Sequence, residues 1–362
     1  MAVALRVIDD GERSGRHHVA FGQALIKQHR TGLSPDTLRF HSYPPTALIA
    51  RDQPLLNEVA VDWCRSQGVA VARRLGGGAT LYAGPGQLGW DLVVRRPLLG
   101  SETLAGGLAV IGATVAAGLV RLGVNARFHA PGRIDCDGRY LGSLGGFFDG
   151  DTAYFQGLVL VDLDPGEITH LLTVPGQRLA YRGMAATAAR LVTLAALLGG
   201  APPTPDALRT TLANACARRF GLTATMGSSS PDEEALASRL HDEVFGNESF
   251  IDRIEAPTGP GTGTAARSHS GASLAAHVRL VAGNQPVIAE VAFTGTYLVS
   301  PPNAFDVLAE RLRGLPVSAV AERVEAVFTQ EPMDLIRLTT ADVRAVLDAA
   351  ILRARRASLN PV

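Results

Sequence analysis

The chain has 362 residues, 46% of them hydrophobic and 19% charged, which is enough apolar side chain for a buried core and excludes disorder over most of the length. Thirty-four basic residues balance thirty-four acidic ones, so no chain-wide field attracts nucleic acid or an anionic membrane, and neither is an expected partner. A charged ligand therefore needs a local site.

Cys64, Cys136 and Cys216 lie far apart and form no CxxC pair, which argues against a disulfide framework or a zinc site and predicts a reducing, cytoplasmic setting with no metal. Asp9, Asp10 and Glu12 near the start, without an apolar run beside them, predict no export leader. Leu104 to Val120 and Met184 to Leu198 are apolar, but the first holds several glycines and the second Arg190; both read as buried helices rather than membrane spans. The only lysine is Lys27, so an enzyme that needs an active-site lysine has one candidate.

Val19 to His29 has helical spacing, with Lys27 on its solvated side. Thr37 to His41 and Thr46 to Ala50 read as strands, Asn57 to Gln67 as a helix stopped by Gly68, and Val69 to Arg74 as a strand. The glycine run Gly76 to Gly78 follows, then a strand over Leu88 to Val94 and a long helix over Thr103 to Leu122. Strands at Ala126 to His129, Arg139 to Leu144 and Thr152 to Val161 alternate as an antiparallel meander does, which favours an α+β layer. Helical patterns dominate Pro165 to Ala217. Met226 to Asp232 and Ala256 to Ser273, rich in Gly, Ser, Pro and Thr, read as mobile connections, with a domain boundary between them or near the second. Strands at Ala275 to Val281 and Pro286 to Phe293, then helices at Asn303 to Leu312, Val317 to Val327 and Thr340 to Arg353, make a small α+β module. The division expected is 1–245 and 246–362.

The segment Arg73 to Gln87 (RRLGGGATLYAGPGQ) is the densest in candidate chemistry. Three successive glycines let amide hydrogens converge on one concavity that suits phosphate or carboxylate oxygens, and Arg73 and Arg74 add charge beside it; the bland alternative is a tight turn. Neither a Walker loop nor a GxGxxG motif is present. A second cluster, Arg133, Asp135, Asp137 and Arg139, could pin a nucleotide or be only a charged hairpin. Cys136, beside aspartates, reads as an inert thiol, and His129 and His170 have no nucleophile at a recognisable spacing.

Leu38 to Arg51 with Gln53, Gly68 to Gly78, Gly132 to Ser143 (GRIDCDGRYLGS) and Gln156 to Asp164 (QGLVLVDLD) resemble, in order and spacing, the lipoate-protein ligase family within the biotin/lipoate ligase and octanoyl transferase superfamily. Gly183 to Leu194 is similar to that family's helix after the core sheet, Ile288 to Leu315 to its small C-terminal domain, and LYAGPGQL and DGRYLGSLG run closer to the octanoyl transferases. The resemblance implies a biotin/lipoyl ligase-like mixed or antiparallel sheet with packed helices and a small α+β C-terminal domain. It also implies lipoate or octanoate as substrate, ATP and Mg as cofactors, an acyl-adenylate, and a lysine on a lipoyl carrier domain as acceptor. The residues it assigns to substrate and nucleotide are Arg73, Arg74, Gly76, Gly77, Gly78, Ala79, Tyr82, Gly86, Arg133, Asp135, Gly142, Ser143, Gln156 and Gly157. The family's catalytic lysine falls within Gly138 to Ser143, where this chain has Arg139 or Tyr140 according to register, and no lysine. Tyr82 or Ala83 replaces the usual histidine after the glycine loop, Gln156 stands where a histidine commonly precedes glycine, and the acyl transferases' cysteine is missing near Pro175 and Gly176. The expectations are an acyl ligase with Arg139 as its cation, a non-catalytic relative that binds an acyl ligand or carrier domain, or an octanoyl transferase-like protein.

Overall fold

Ser14 accepts a hydrogen bond from the His17 amide and so starts helix α1 (Gly15–Arg30), which follows strand β1 (Ala4–Glu12). The structure, a computed structural model, describes residues 4–164, 190–269, 271–281, 283–331 and 333–359. The chain next forms β2 (Thr37–Ser42), β3 (Thr46–Ile49), the short helices α2 (Leu55–Glu58) and α3 (Val61–Ser66), β4 (Ala70–Arg73), β5 (Leu81–Ala83) and β6 (Gln87–Arg95). Helix α4 (Leu104–Val120) leads to β7 (Ala126–His129), β8 (Arg133–Cys136), β9 (Arg139–Asp149) and β10 (Thr152–Leu160).

One compact unit is Met1–Ile49, Leu55–Leu75 and Thr80–Ile251; the other is Ala50–Pro54, Gly76–Ala79 and Asp252–Val362. After residue 190 the first unit adds α5 (Leu194–Leu197), α6 (Pro205–Phe220), β11 (Thr223–Gly227), α7 (Pro231–Leu240) and α8 (Glu248–Ile251). Its large sheet runs β11-β1-β2-β6-β10-β9-β8-β7 and is mixed: β1 pairs in parallel with β11 and β2, and the meander from β6 to β7 is antiparallel. A smaller sheet, β4-β3-β5, packs over the same face as α1 and α7, with Leu48, Ala72 and Ala83 against Leu158 and Tyr43. Helix α4 covers the opposite face, where Gly107 approaches the rings of Phe148 and Phe155, and Gly112 that of Phe128.

The second unit has β12 (Thr262–His269), β13 (Ala272–Val281) and β14 (Val287–Thr296) in one antiparallel sheet. β15 (Leu298–Ser300) pairs with β16 (Asp334–Ile336), and α9 (Ala304–Leu312), α10 (Val320–Gln330) and α11 (Thr340–Leu359) complete the unit. Leu274, Ala276, Val278, Leu308, Leu312, Val343, Leu347 and Ala350 form its core.

The expected meander, the long apolar helix and the exposed position of Lys27 are all observed. Parts of both stretches expected to be mobile connections instead form regular elements. Residues 223–227 form the parallel edge strand, and Ser230 and Glu233 make a reciprocal capping box for α7, with Glu233 also paired to Arg6 at 2.5 Å. Residues 262–269 form β12, whose small residues reflect close approach: a Cβ on Gly263 would lie 2.2 Å from the Ala350 carbonyl oxygen of α11. β1 carried no strong sequence signal. Most of Gly183 to Leu194, together with His170, Pro175 and Gly176, lies outside the described residues. No described helix is long and apolar enough to cross a membrane.

A Cβ on Gly112 would sit 2.1 Å from the Phe128 ring, so Gly112→Val should destabilise the first unit by about 1–3 kcal/mol through overpacking. Urea unfolding checks this, and an unchanged midpoint would contradict it.

Candidate functional site

Strand alternation and register determine which side chains share the face under the small sheet. Arg39 of β2 is opposite Asp91 of β6, and Asp91 opposite Gln156 of β10; one step along, His41 is opposite Gly89, Gly89 opposite Leu158, and Leu158 opposite Ser143. Successive residues point to opposite faces, so these rows lie together.

Arg39 is fully buried. Its Nη1 donates to Asp91 Oδ2 at 2.7 Å, its Nε to Asp10 Oδ2 at 3.0 Å, and its guanidinium lies 4.5 Å above the Phe21 ring. The Tyr154 hydroxyl donates to Asp91 Oδ1 at 2.8 Å and lies 3.0 Å from the Gln156 amide. His18 accepts from Arg39 at Nδ1, 2.5 Å, so its proton is on Nε2, which donates to the Ser42 carbonyl at 2.8 Å. His41 stacks on His18 with centroids 4.4 Å apart, meets Tyr43 edge-on, and puts Nε2 3.3 Å from Asp91. Glycine at 89 makes this possible, because a Cβ there would be 2.5 Å from the imidazole. Burial favours a protonated Asp91, but His41, Arg39 and the Tyr154 hydroxyl outweigh it and keep the carboxyl below the usual range.

Arg74 is the other buried cation of this face. Burial pushes its pKa down to about 10, against the pull of Tyr43, Tyr140 and Tyr154, so it stays charged at neutral pH. Tyr140 packs with Tyr82, Leu160, Leu163 and Leu191; its N–H donates to the Arg190 carbonyl at 2.7 Å and its carbonyl accepts from Val192 at 2.9 Å. Burial raises its phenol pKa, with Ser143 and Arg74 opposing.

Several expected assignments change. Arg139 is exposed beside the Asp137–Gly138 turn, whose positive φ angles close the β8–β9 hairpin; Tyr140, not Arg139, adjoins Arg74. Arg73 turns inward, its Nε donating to the carbonyls of Phe250 at 3.1 Å and Ile251 at 2.9 Å at the end of α8. Gly76, Gly77, Gly78 and the exposed Ala79 belong to the second unit. There Gly78 N–H donates to the Tyr297 carbonyl at 2.7 Å, and a Cβ on Gly77 would be 2.2 Å from that oxygen. This turn therefore holds main chain where an open anion nest was expected. Asp135 is tied to His129 at 3.1 Å and Arg133 at 3.3 Å, and Arg133 also reaches the Gly138 carbonyl, as a charged hairpin does. Gly86, Gly142 and Gly157 are close-approach positions: their Cβ atoms would meet the Asp162 carbonyl at 1.9 Å, the Leu158 carbonyl at 2.5 Å and the Trp90 ring at 2.4 Å. Tyr82 is buried, and Gln156 and Ser143 lie on the site face. The Cys136 thiol is pushed up by burial and Asp137. Among the described residues no three His, Cys, Asp or Glu side chains are arranged so that they could hold a metal ion.

Residues 14–217 match the family model for the lipoyl protein ligase A/B catalytic domain. The chain belongs to this family. An octanoyltransferase LipM of Symbiobacterium thermophilum is 30% identical over 272 residues, 67% of this chain and 95% of that protein. The LipM of Moorella thermoacetica is 27% identical over 201 residues, 50% of this chain and 73% of that protein. In fold, the lipoyl ligase family member resembles the bi-partite lipoate protein ligase of Thermoplasma acidophilum, with TM-score 0.63, 19% identity and coverage of 71% of this chain and 100% of that one. It also resembles P. falciparum LipL1 in complex with lipoate, with TM-score 0.70, 12% identity and coverage of 95% and 99%.

Sequence reasoning missed Arg39, His18, His41, Tyr43, Asp91 and Tyr154. The available signal was the run Gln87, Gly89, Asp91, in which polar and small residues alternate with Leu88, Trp90 and Leu92.

Burial holds His18 and His41 neutral, with His41 and Arg39 adding to the effect at His18 and Asp91 opposing it at His41. The unfolded chain binds these protons near pH 6.5 and the folded one does not. Stability should thus be intact above that pH and fall below it, by about 1.4 kcal/mol per pH unit for each imidazole. Denaturation between pH 7 and 5 should show a shallower slope for His18→Gln than for wild type; identical slopes would contradict the assignment.

Proposed function

We propose that this protein transfers an octanoyl- or lipoyl-type acyl group from a thioester donor to a lysine of a lipoyl carrier domain. The observation that carries the reading is Arg74, a charged guanidinium buried among Tyr43, Tyr140 and Tyr154 at a face floored by Leu158 and Leu160. An apolar floor accommodates a fatty chain, and a desolvated cation stabilises the oxyanion that forms when an amine attacks an acyl carbonyl. Leucine and tyrosine neighbours strengthen that charge by excluding water.

The relatives named octanoyltransferase support a thioester donor. The structure's own residues favour it over adenylation: Arg139 is exposed, Arg73 bonds to helix carbonyls and Gly78 to Tyr297, so the groups expected to hold phosphate face other tasks. In the transfer the amine nitrogen bonds to the acyl carbon, the C–S bond breaks with its electron pair on sulfur, and the amine proton ends on the thiol. Asp91, anchored by Arg39, positions the Tyr154 hydroxyl, which in turn contacts Gln156 two residues along β10. A second reading, a relative that binds the acyl group without turnover, is favoured by Tyr140, a phenol that supplies no positive charge and that burial keeps neutral.

Apo lipoyl domain incubated with octanoyl-carrier protein should gain one octanoyl group by mass spectrometry, without ATP. Arg74→Met should lower the rate about 10²–10³-fold, the cost of removing one oxyanion-stabilising group. Modification only from free acid and ATP would identify a ligase, and acyl binding without modification would identify the non-catalytic relative.

A further inference from the structure

Gly84, Pro85 and Gly86 deliver a side chain that the reaction described so far does not use. Gly86 has φ 77°, its carbonyl accepts from both Val161 and Asp162 at 2.9 Å, and a Cβ there would lie 1.9 Å from the Asp162 oxygen. Only glycine fits, and the turn fixes where β6 begins. Gln87, its first residue, is 7% exposed, and both Nε2 and Oε1 are buried without a hydrogen-bond partner. Leaving both ends of a buried amide unbonded disfavours the unliganded protein, and native structures tolerate this where a ligand supplies the partners.

Register places Gln87 on the site face. It is opposite Leu160, two residues before Gly89 with His41 over it, and Ser143 of β9, level with Gly89, lies diagonally across the Leu158–Leu160 floor, two strand spacings over and two residues along, or roughly 12 Å away. Ser143 Oγ is also buried, with the Tyr140 hydroxyl beside it. The two neutral groups thus border the apolar floor. A carboxylate or phosphate would call for charge, whereas an amide with a donor and an acceptor side by side complements a neutral carbonyl with an adjacent N–H. A flip exchanges the donor and acceptor ends, and a ligand that presents N–H and C=O on the same side selects the matching orientation.

We propose that Gln87 is a catalytic residue of the transfer, gripping the nascent amide: its N–H donates to the acyl oxygen and its carbonyl accepts from the attacking amine. This rests on the acyl-transfer reading. Gln87 takes no proton in the step. As the C–N bond forms, oxygen gains negative charge and nitrogen positive charge, so both contacts strengthen toward the transition state. The C–S bond then breaks, the sulfur keeps the electron pair, and the nitrogen's proton passes to the thiolate. The product, a trans N-alkyl octanamide on the acceptor lysine, turns its N–H away from its C=O, so one of the two contacts is lost after the transition state and the product is released.

Gln87→Met keeps the shape and removes both polar ends. It should lower kcat about 10²-fold or more and leave KM for the lipoyl domain within twofold, with a Tm equal to or above wild type. A role in stability alone would lower Tm instead. Calorimetric titration with an alkyl-substituted δ-valerolactam, whose ring holds N–H and C=O on the same side and which needs no turnover, should show at least tenfold weaker binding to the variant, whereas octanoate binding should change little. Wild-type transfer rates in Gln87→Met, or equal amide affinity in both proteins, would overturn the proposal and leave acyl transfer standing. Absence of transfer by the wild type, with amide binding still dependent on Gln87, would overturn the acyl-transfer reading and keep the amide site.

Discussion

A guanidinium without access to water is costly in a protein interior and least so where acids meet it, and Arg39 is such a group. Asp91 and Asp10 meet it, and the geometry that satisfies them dictates the surroundings. Asp91 must lie opposite Arg39 on the neighbouring strand, which sets the β2–β6 register. Its second oxygen takes the Tyr154 hydroxyl, and its charge orients His41. A one-residue slip would turn every one of these groups to the face covered by α4. The buried pair is thus less a source of stability than a device that makes one register acceptable.

The site gains its character from contrast along one face. At one end a charged network binds Arg39, Asp91, Tyr154 and His18 to one another. Next to it, Leu158 and Leu160 offer an apolar floor, with Arg74, Tyr140, Ser143 and Gln87 around it. The network stiffens the floor's neighbours, and glycines at 89, 142 and 157 let the strands and rings come close enough to do so.

Periodic features were legible in the sequence. Thr103 to Leu122 announced a helix through apolar content and a closing Gly123, and the β6-to-β10 meander through alternation. The order of its motifs also pointed to the family. Features that depend on distant partners were not legible. Gly76 to Gly78 has the composition of an anion nest, yet Tyr297, more than two hundred residues later, decides its environment. Arg73 and Arg74 are adjacent and alike, but strand alternation sends one to the carbonyls of α8 and the other to the tyrosines. The run MGSSSPD reads as a linker until Arg6 and Ser34 are seen to hold Glu233 at the end of its cap.

In the proposed transfer, the face between the large and small sheets of the first unit seats an acyl group with its carbonyl toward Arg74. A crystal structure with a non-hydrolysable octanoyl thioester analogue tests it most directly. The chain should lie along Leu158 and Leu160 with its carbonyl oxygen in hydrogen-bonding reach of Arg74. An analogue seated elsewhere, with this face closed and Arg74 unchanged, would contradict the claim.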